Sequence, residues 1–151
     1  MSKVSLQCRV FKLDDELRLA KGPVLRPDIR DRHGTTVDRT TIRQAAHQFM
    51  IRYRLGETTS GYMHRDFYRA DERFQIVECY ITDVDVTIPR TERLAIDGED
   101  GDGDIVIPAG SWMMAVVVKD DQVWEQIKSG VVKGFSIGGT ADIVPDEEMA
   151  A

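Results

Sequence analysis

The stretch IVIPAGSWMMAVVVK, residues 105–119, is apolar at almost every position and too rich in β-branched residues for a surface helix, so it reads as a long strand or one arm of a hairpin. Its neighbours extend the β reading in both directions. KVSLQCRVFKLDD, residues 3–15, places Val4, Leu6, Cys8 and Val10 at period two, the pattern of a half-buried strand. GYMHRDFYR (61–69) and FQIVECYITDVDVTI (74–88) read as two further strands joined by the polar turn Ala70–Asp71–Glu72, and VVKGFSIGGTADIV (131–144) reads as another. GPVLRPDIRDRHGTTV, residues 22–37, contains two prolines and two glycines and is expected to be an irregular loop.

Two helices interrupt the strands. Asp38 suits an N-cap, and Ile42, Ala45, Ala46, Phe49, Met50 and Tyr53 recur at the three-and-four spacing of one apolar helix face. Asp120 or Asp121 caps a shorter helix that buries Val123, Trp124 and Ile127, with Gly130 just past its end. Six or seven strands against two helices, with no strand–helix alternation, exclude a parallel doubly wound sheet. The expected fold is mainly β with helices (α+β): a small, mostly antiparallel β-barrel ringed by two or more helices.

The chain has 151 residues and a formal charge of −6, the size of one domain with a sizeable core. Its acidic balance supplies no clustered positive charge for nucleic acid or an anionic membrane. No apolar run reaches spanning length and MSKVSLQCRV lacks a secretory signal pattern, so a soluble intracellular protein is expected. Cys8 and Cys79 lack the paired spacing of a zinc site and are read as small core residues. DGEDGDGD, residues 97–104, offers Asp97, Glu99, Asp100, Asp102 and Asp104 as oxygen ligands, but without the closing Glu of a calcium loop it is read as a solvated acidic turn. No metal or other cofactor is expected.

Three histidines are present. His33 lies beside Gly34 in the expected loop and is read as a solvated side chain, and His47 sits beside the apolar face of the first helix and is read as a packing or helix-boundary residue. His64 shares a strand face with Tyr62 and Asp66, and pairing of residues 69 and 73 would set it opposite Glu78, where a carboxylate fixes the imidazole tautomer; a slip of one residue would put Cys79 there instead. Ser136 lies in GFSIGG, residues 134–139, whose glycines would let a substrate carbonyl approach the main chain. From spacing alone Ser136 reads first as a small residue in a strand that ends at a Gly-Gly turn.

An ordered set of motifs separates these readings. GPVL-x-PD at 22–28, AAH-x-F at 45–49, the isolated His64, IVECYI at 76–81, GSWM at 110–113, W-x-x-IK-x-G at 124–130 and GFSIGG at 134–139 together resemble the XkdF-type phage serine proteases, relatives of prohead maturation proteases with a herpesvirus assemblin-like fold. The resemblance spans nearly the whole chain. It implies one prohead-protease-like domain over residues 1–145 and a short flexible tail over 146–151. It implies a serine endopeptidase in which Ser136 is the nucleophile and His64 the general base. Glu78 is preferred as third member, with Asp142 as runner-up, and backbone amides at Ile137, Gly138 and Gly139 would hold the oxyanion. No arginine follows Arg93, so the arginine loop of viral assemblins has no counterpart after the serine. The implied partners are phage scaffold and major capsid protein precursors, with homo-oligomerisation possible, inside the assembling prohead in the host cytoplasm. A catalytically idle head-assembly protein built on the same barrel is the alternative, and a barrel that binds a small ligand is a third.

Overall fold

A computed structural model describes residues 6–28, 36–55, 59–61, 74–90, 103–132 and 134–138. The elements run β1 (Leu6–Arg9), β2 (Lys12–Asp14), β3 (Leu19–Leu25), α1 (Arg39–Arg54), β4 (Thr59–Gly61), β5 (Phe74–Ile81), β6 (Val86–Ile88), β7 (Ile105–Ile107), β8 (Trp112–Val118), α2 (Asp121–Lys128) and β9 (Gly134–Gly138). They form three sheets in the orders β1-β9-β4, β2-β3-β8-β5 and β6-β7, and every pairing is antiparallel. The described residues are therefore mostly β with two helices, as the strand patterning implies. Among the described residues the hydrogen-bonded strands make separate sheets rather than a closed barrel.

The apolar run at 105–119 divides in two. Pro108 lacks a backbone donor and Gly110 takes a left-handed φ of 89°, which ends β7 and starts β8. The turn is tied down by buried polar groups. The Thr82 amide donates to the Ser111 carbonyl at 2.9 Å, the Gly110 amide to the Thr82 carbonyl at 2.8 Å, and the Ser111 hydroxyl to the Pro108 carbonyl at 2.6 Å. The expected strand 74–88 breaks at this same place, into β5 and β6.

Strand β8 is apolar on consecutive residues because both its faces are covered. Trp112, Met114, Val116 and Val118 enter a large core with Cys8, Val10, Ala20 and the buried faces of both helices. Met113 points the other way, into a small core with Phe11, Ile88 and Ile107 under the β6-β7 sheet. Helix α1 contributes Ile42, Ala46 and Phe49 to the large core, and the Phe49 ring lies 5.6 Å from that of Trp112.

Both helix starts follow from their caps. The Asp38 carboxylate accepts from the Thr41 amide at 2.8 Å, and that of Asp120 from the Val123 amide at 2.9 Å. Gly130, at φ 83°, ends α2. Asp120→Ala should lower unfolding free energy by about 1 kcal/mol, read as a lower urea midpoint at unchanged slope.

Two expectations are corrected. Residues 22–25 are not loop but the end of β3, paired with β8 through Gly22↔Met114 and Pro23↔Met113. Pro23 is tolerated because β2 flanks β3 only as far as Lys21, so the missing donor leaves no gap in that ladder. Gly22 is required because a Cβ there would fall on the carbonyl oxygen of Arg9, where β1 crosses β3. The strand expected over residues 3–15 is likewise two strands. At Val10 and Phe11 the chain leaves β9 and joins β3, the Phe11 amide donating to the Lys21 carbonyl at 2.8 Å. Alternation slips there: Cys8 and Val10 face the large core, Phe11 the small one, and Leu13 the large one again.

Candidate active site

Ser136 lies on β9, the middle strand of its sheet, with Gln7 opposite it on β1 and Gly61 opposite it on β4. Residues paired across an antiparallel ladder share a face, and the face alternates along each strand. Positions 7, 136 and 61 therefore form one row, while Cys8, paired with Phe135, belongs to the opposite face. Cys8 is fully buried and its thiol donates to the Gly22 carbonyl at 3.3 Å, which identifies its face as the core side. Position 136 thus lies on the side of the sheet away from the large core. The close seating of β9 on β1 is permitted by Gly134, where a Cβ would collide with the Cys8 carbonyl oxygen.

The proposed oxyanion donors occupy the end of the same strand. Ile137 is flanked on both sides, by Leu6 and by Ser60, and Gly138 pairs with Thr59. Gly139 and Asp142 lie outside the described residues, as do His33 and His64. The pairing expected between the His64 segment and β5 falls on residues 62–73 and is outside them too; β4, immediately before that segment, pairs with β9 and also approaches β5. His47 is neither a packing nor a boundary residue: it is exposed in the middle of α1, whose buried face is Ile42, Ala46 and Phe49.

Glu78 sits in the other sheet, on β5, where Glu78 and Lys21 flank Ala115 of β8 from opposite sides. The Lys21 ammonium donates to Glu78 Oε1 at 2.8 Å and stands 5.0 Å from the centroid of the Tyr80 ring. Burial works against the charge on Lys21, but Glu78 and Tyr80 outweigh it and raise the lysine pKa. A raised folded-state pKa stabilises the protein below the ordinary lysine value of 10.5 and the gain is lost as pH rises through the folded value. Glu78→Gln should therefore lower the urea midpoint at neutral pH by the modest amount of a partly exposed pair, under about 1 kcal/mol, and the difference from the native chain should begin to shrink only above about pH 10.5 and vanish once pH has passed the raised folded value of Lys21. A difference that persists there would mean that Glu78 acts by packing. Lys21 was not legible as a site neighbour, because three strands separated in sequence must be placed in register before it meets Glu78.

The two cysteines are not rival nucleophiles. Burial, aided by Cys79, pushes the Cys8 thiol far above its usual range against the bond to Gly22. Burial also raises Cys79, opposed by the Trp112 indole N–H, which donates to its sulfur at 3.3 Å. Among the described residues no group of three or more His, Cys, Asp or Glu side chains could hold a metal ion, and no helix is long and apolar enough to cross a membrane.

Residues 7–145 match the family described as "Putative phage serine protease XkdF". The chain is 33% identical over 135 residues to the phage-like element PBSX protein XkdF of Bacillus subtilis (strain 168), an alignment covering 89% of this chain and 41% of that protein. It is 31% identical over 134 residues to the "Uncharacterized protein YqbD" of the same organism, covering 89% of this chain and 35% of that one. The chain thus spans about two fifths or less of the length of these relatives. No solved structure matches it.

Proposed function

The chain belongs to the family described as "Putative phage serine protease XkdF", and from that premise we propose that it is a serine endopeptidase that cleaves scaffold and capsid precursors during phage head assembly. The observation that carries this reading is the place of Ser136: mid-strand, off the core side of its sheet, beside a glycine that adds no side chain to the row. A serine kept only for packing would be expected on the core side.

Chain connectivity permits His64 as its base. Gly61 is directly opposite Ser136, and paired Cα atoms lie roughly 5 Å apart. Three peptide units then limit the Cα of residue 64 to about 11 Å from that of Gly61. The Cα of residue 64 is thereby kept within about 16 Å of that of Ser136, and a turn of the chain back toward β9 is what the proposal requires to bring imidazole and hydroxyl into hydrogen-bond reach. In the proposed reaction, His64 removes the hydroxyl proton as Ser136 Oγ attacks a peptide carbonyl. The imidazolium returns the proton to the leaving amine, and a water activated by the same imidazole releases the acyl group. Main-chain N–H groups in the 137–139 segment hold the oxyanion, those at the end of β9 being the better placed because Gly138 is nearer the end of the ladder than Ile137.

Glu78 is the preferred orienting carboxylate. Lys21 occupies Oε1, and a carboxylate has acceptor capacity for a second donor, here the imidazole Nδ1–H. The approach of β4 to β5 favours this assignment over Asp142. The same approach, together with the two-residue step from β1 to β2 that links the sheets, supports a barrel-like closure of the whole.

The test is co-production with a phage capsid precursor. Shortened precursor with the native chain and full-length precursor with Ser136→Ala would support the protease. Equal processing by both would return the structural, catalytically idle reading.

A further inference from the structure

Helix α1, RTTIRQAAHQFMIRYR, carries Arg39, Arg43, Arg52 and Arg54 and no acidic residue. The whole chain is at −6, so the residues outside α1 sum to −10 (−6 minus +4). The basic charge is not explained by helix stability alone. Arg52 and Arg54 suit the C-terminal turn, but Arg39 in the first turn opposes the helix dipole that the Asp38 cap complements. Among the described residues none of the four arginines makes an ion pair.

The inner side of α1 is spent on the core through Ile42, Ala46 and Phe49. Its outer side presents Arg43, His47, Ile51 and Leu55 at successive four-residue steps, with Arg54 alongside, and all five are exposed. Ile51 is 57% and Leu55 66% exposed, a pair of large aliphatic side chains left in water one turn apart. Four-residue spacing makes this one stripe, basic at the N-terminal end and apolar with a flanking arginine at the C-terminal end.

We propose that this outer face of α1 holds an acidic, partly aliphatic segment of a polypeptide partner. Charge complementarity selects the acid, and the Ile51–Leu55 pair selects a chain that brings apolar side chains as well. A nucleic-acid strand would satisfy the arginines but leave the Ile51–Leu55 pair without an apolar partner. Pairing of two α1 faces from two copies would set arginine against arginine. The site lies on α1 and is independent of the Ser136 chemistry.

The test is binding, read without cleavage in the Ser136→Ala chain, by fluorescence anisotropy of a labelled Glu- and Leu-rich peptide. Saturable binding is expected, weakened as salt rises past physiological strength. It should fall about tenfold in Arg43→Glu/Arg54→Glu, the loss of roughly two exposed ion pairs. Ile51→Ser should weaken it without changing the salt dependence. Both variants alter exposed positions, and unchanged helical circular dichroism establishes that they fold. Salt titration against the unmutated α1 tests the charge contribution without any variant. Equal binding of a Gln- and Leu-rich peptide, indifference to the charge reversal, or tighter binding of a labelled single-stranded DNA would each overturn the proposal.

Discussion

Ser136→Ala is expected to reduce cleavage of the capsid precursor by at least roughly 10⁴-fold while leaving the fold intact. Loss of the nucleophile removes the acyl-enzyme route altogether, so only catalysis by binding and the oxyanion site remains. That corresponds to about 5 kcal/mol or more of lost transition-state stabilisation. The fold should not suffer, because position 136 lies on the sheet face opposite Cys8, and the substitution deletes one oxygen from a strand held by its main chain. The urea midpoint should thus change by no more than about 0.5 kcal/mol equivalent. His64→Ala should cost a comparable factor, and the double variant should be no worse than either single one, since nucleophile and base act as a unit. Additive losses would argue that the two residues serve separate purposes.

The largest stability effect is expected at Gly22. Its missing side chain is what lets β1 cross β3: a Cβ would overlap the Arg9 carbonyl oxygen, and backbone cannot yield as a side-chain tip can. Gly22→Ala should destabilise by about 3 kcal/mol, at the upper end of overpacking costs. Gly103 provides the control, since a Cβ there meets nothing within 4 Å, and Gly103→Ala should be nearly neutral. Equal urea midpoints for the two variants would show that β1 and β3 do not meet as described. The crossing also matters for the site, because β1 carries the residue that pairs with Ser136.

Local pattern made some of this legible. Asp38, Asp120 and Gly130 mark helix ends through hydrogen bonds that span three residues or a single φ, so their signals lie within one window of sequence. The continuous apolar run at 112–118 likewise announces burial on both faces. Register across the chain is a different matter. Nothing near Ser136 discloses that Gln7 and Gly61 are its neighbours, since the pairs join positions 129 and 75 residues apart. The change of partner at Val10–Phe11 was hidden for a similar reason: the alternation slips by one step, which reads as ordinary noise until two different sheets are seen to claim the two halves. Pro23 misled because proline and glycine are breakers on average, whereas here one sits beyond the reach of β2 and the other makes room for Arg9. Glu78 was singled out for a histidine, yet its described partner is Lys21, a residue no local motif distinguishes.

The claim at the centre of the account is that Ser136 is a nucleophile activated by His64. Treating the native chain with a fluorophosphonate and mapping the adduct by mass spectrometry tests it directly. The predicted result is one adduct on the tryptic peptide that follows Lys133, in which Ser136 is the sole serine, absent when His64 is replaced by alanine. A chain that cuts the precursor yet carries no adduct on that peptide, or is labelled there equally without His64, would contradict it.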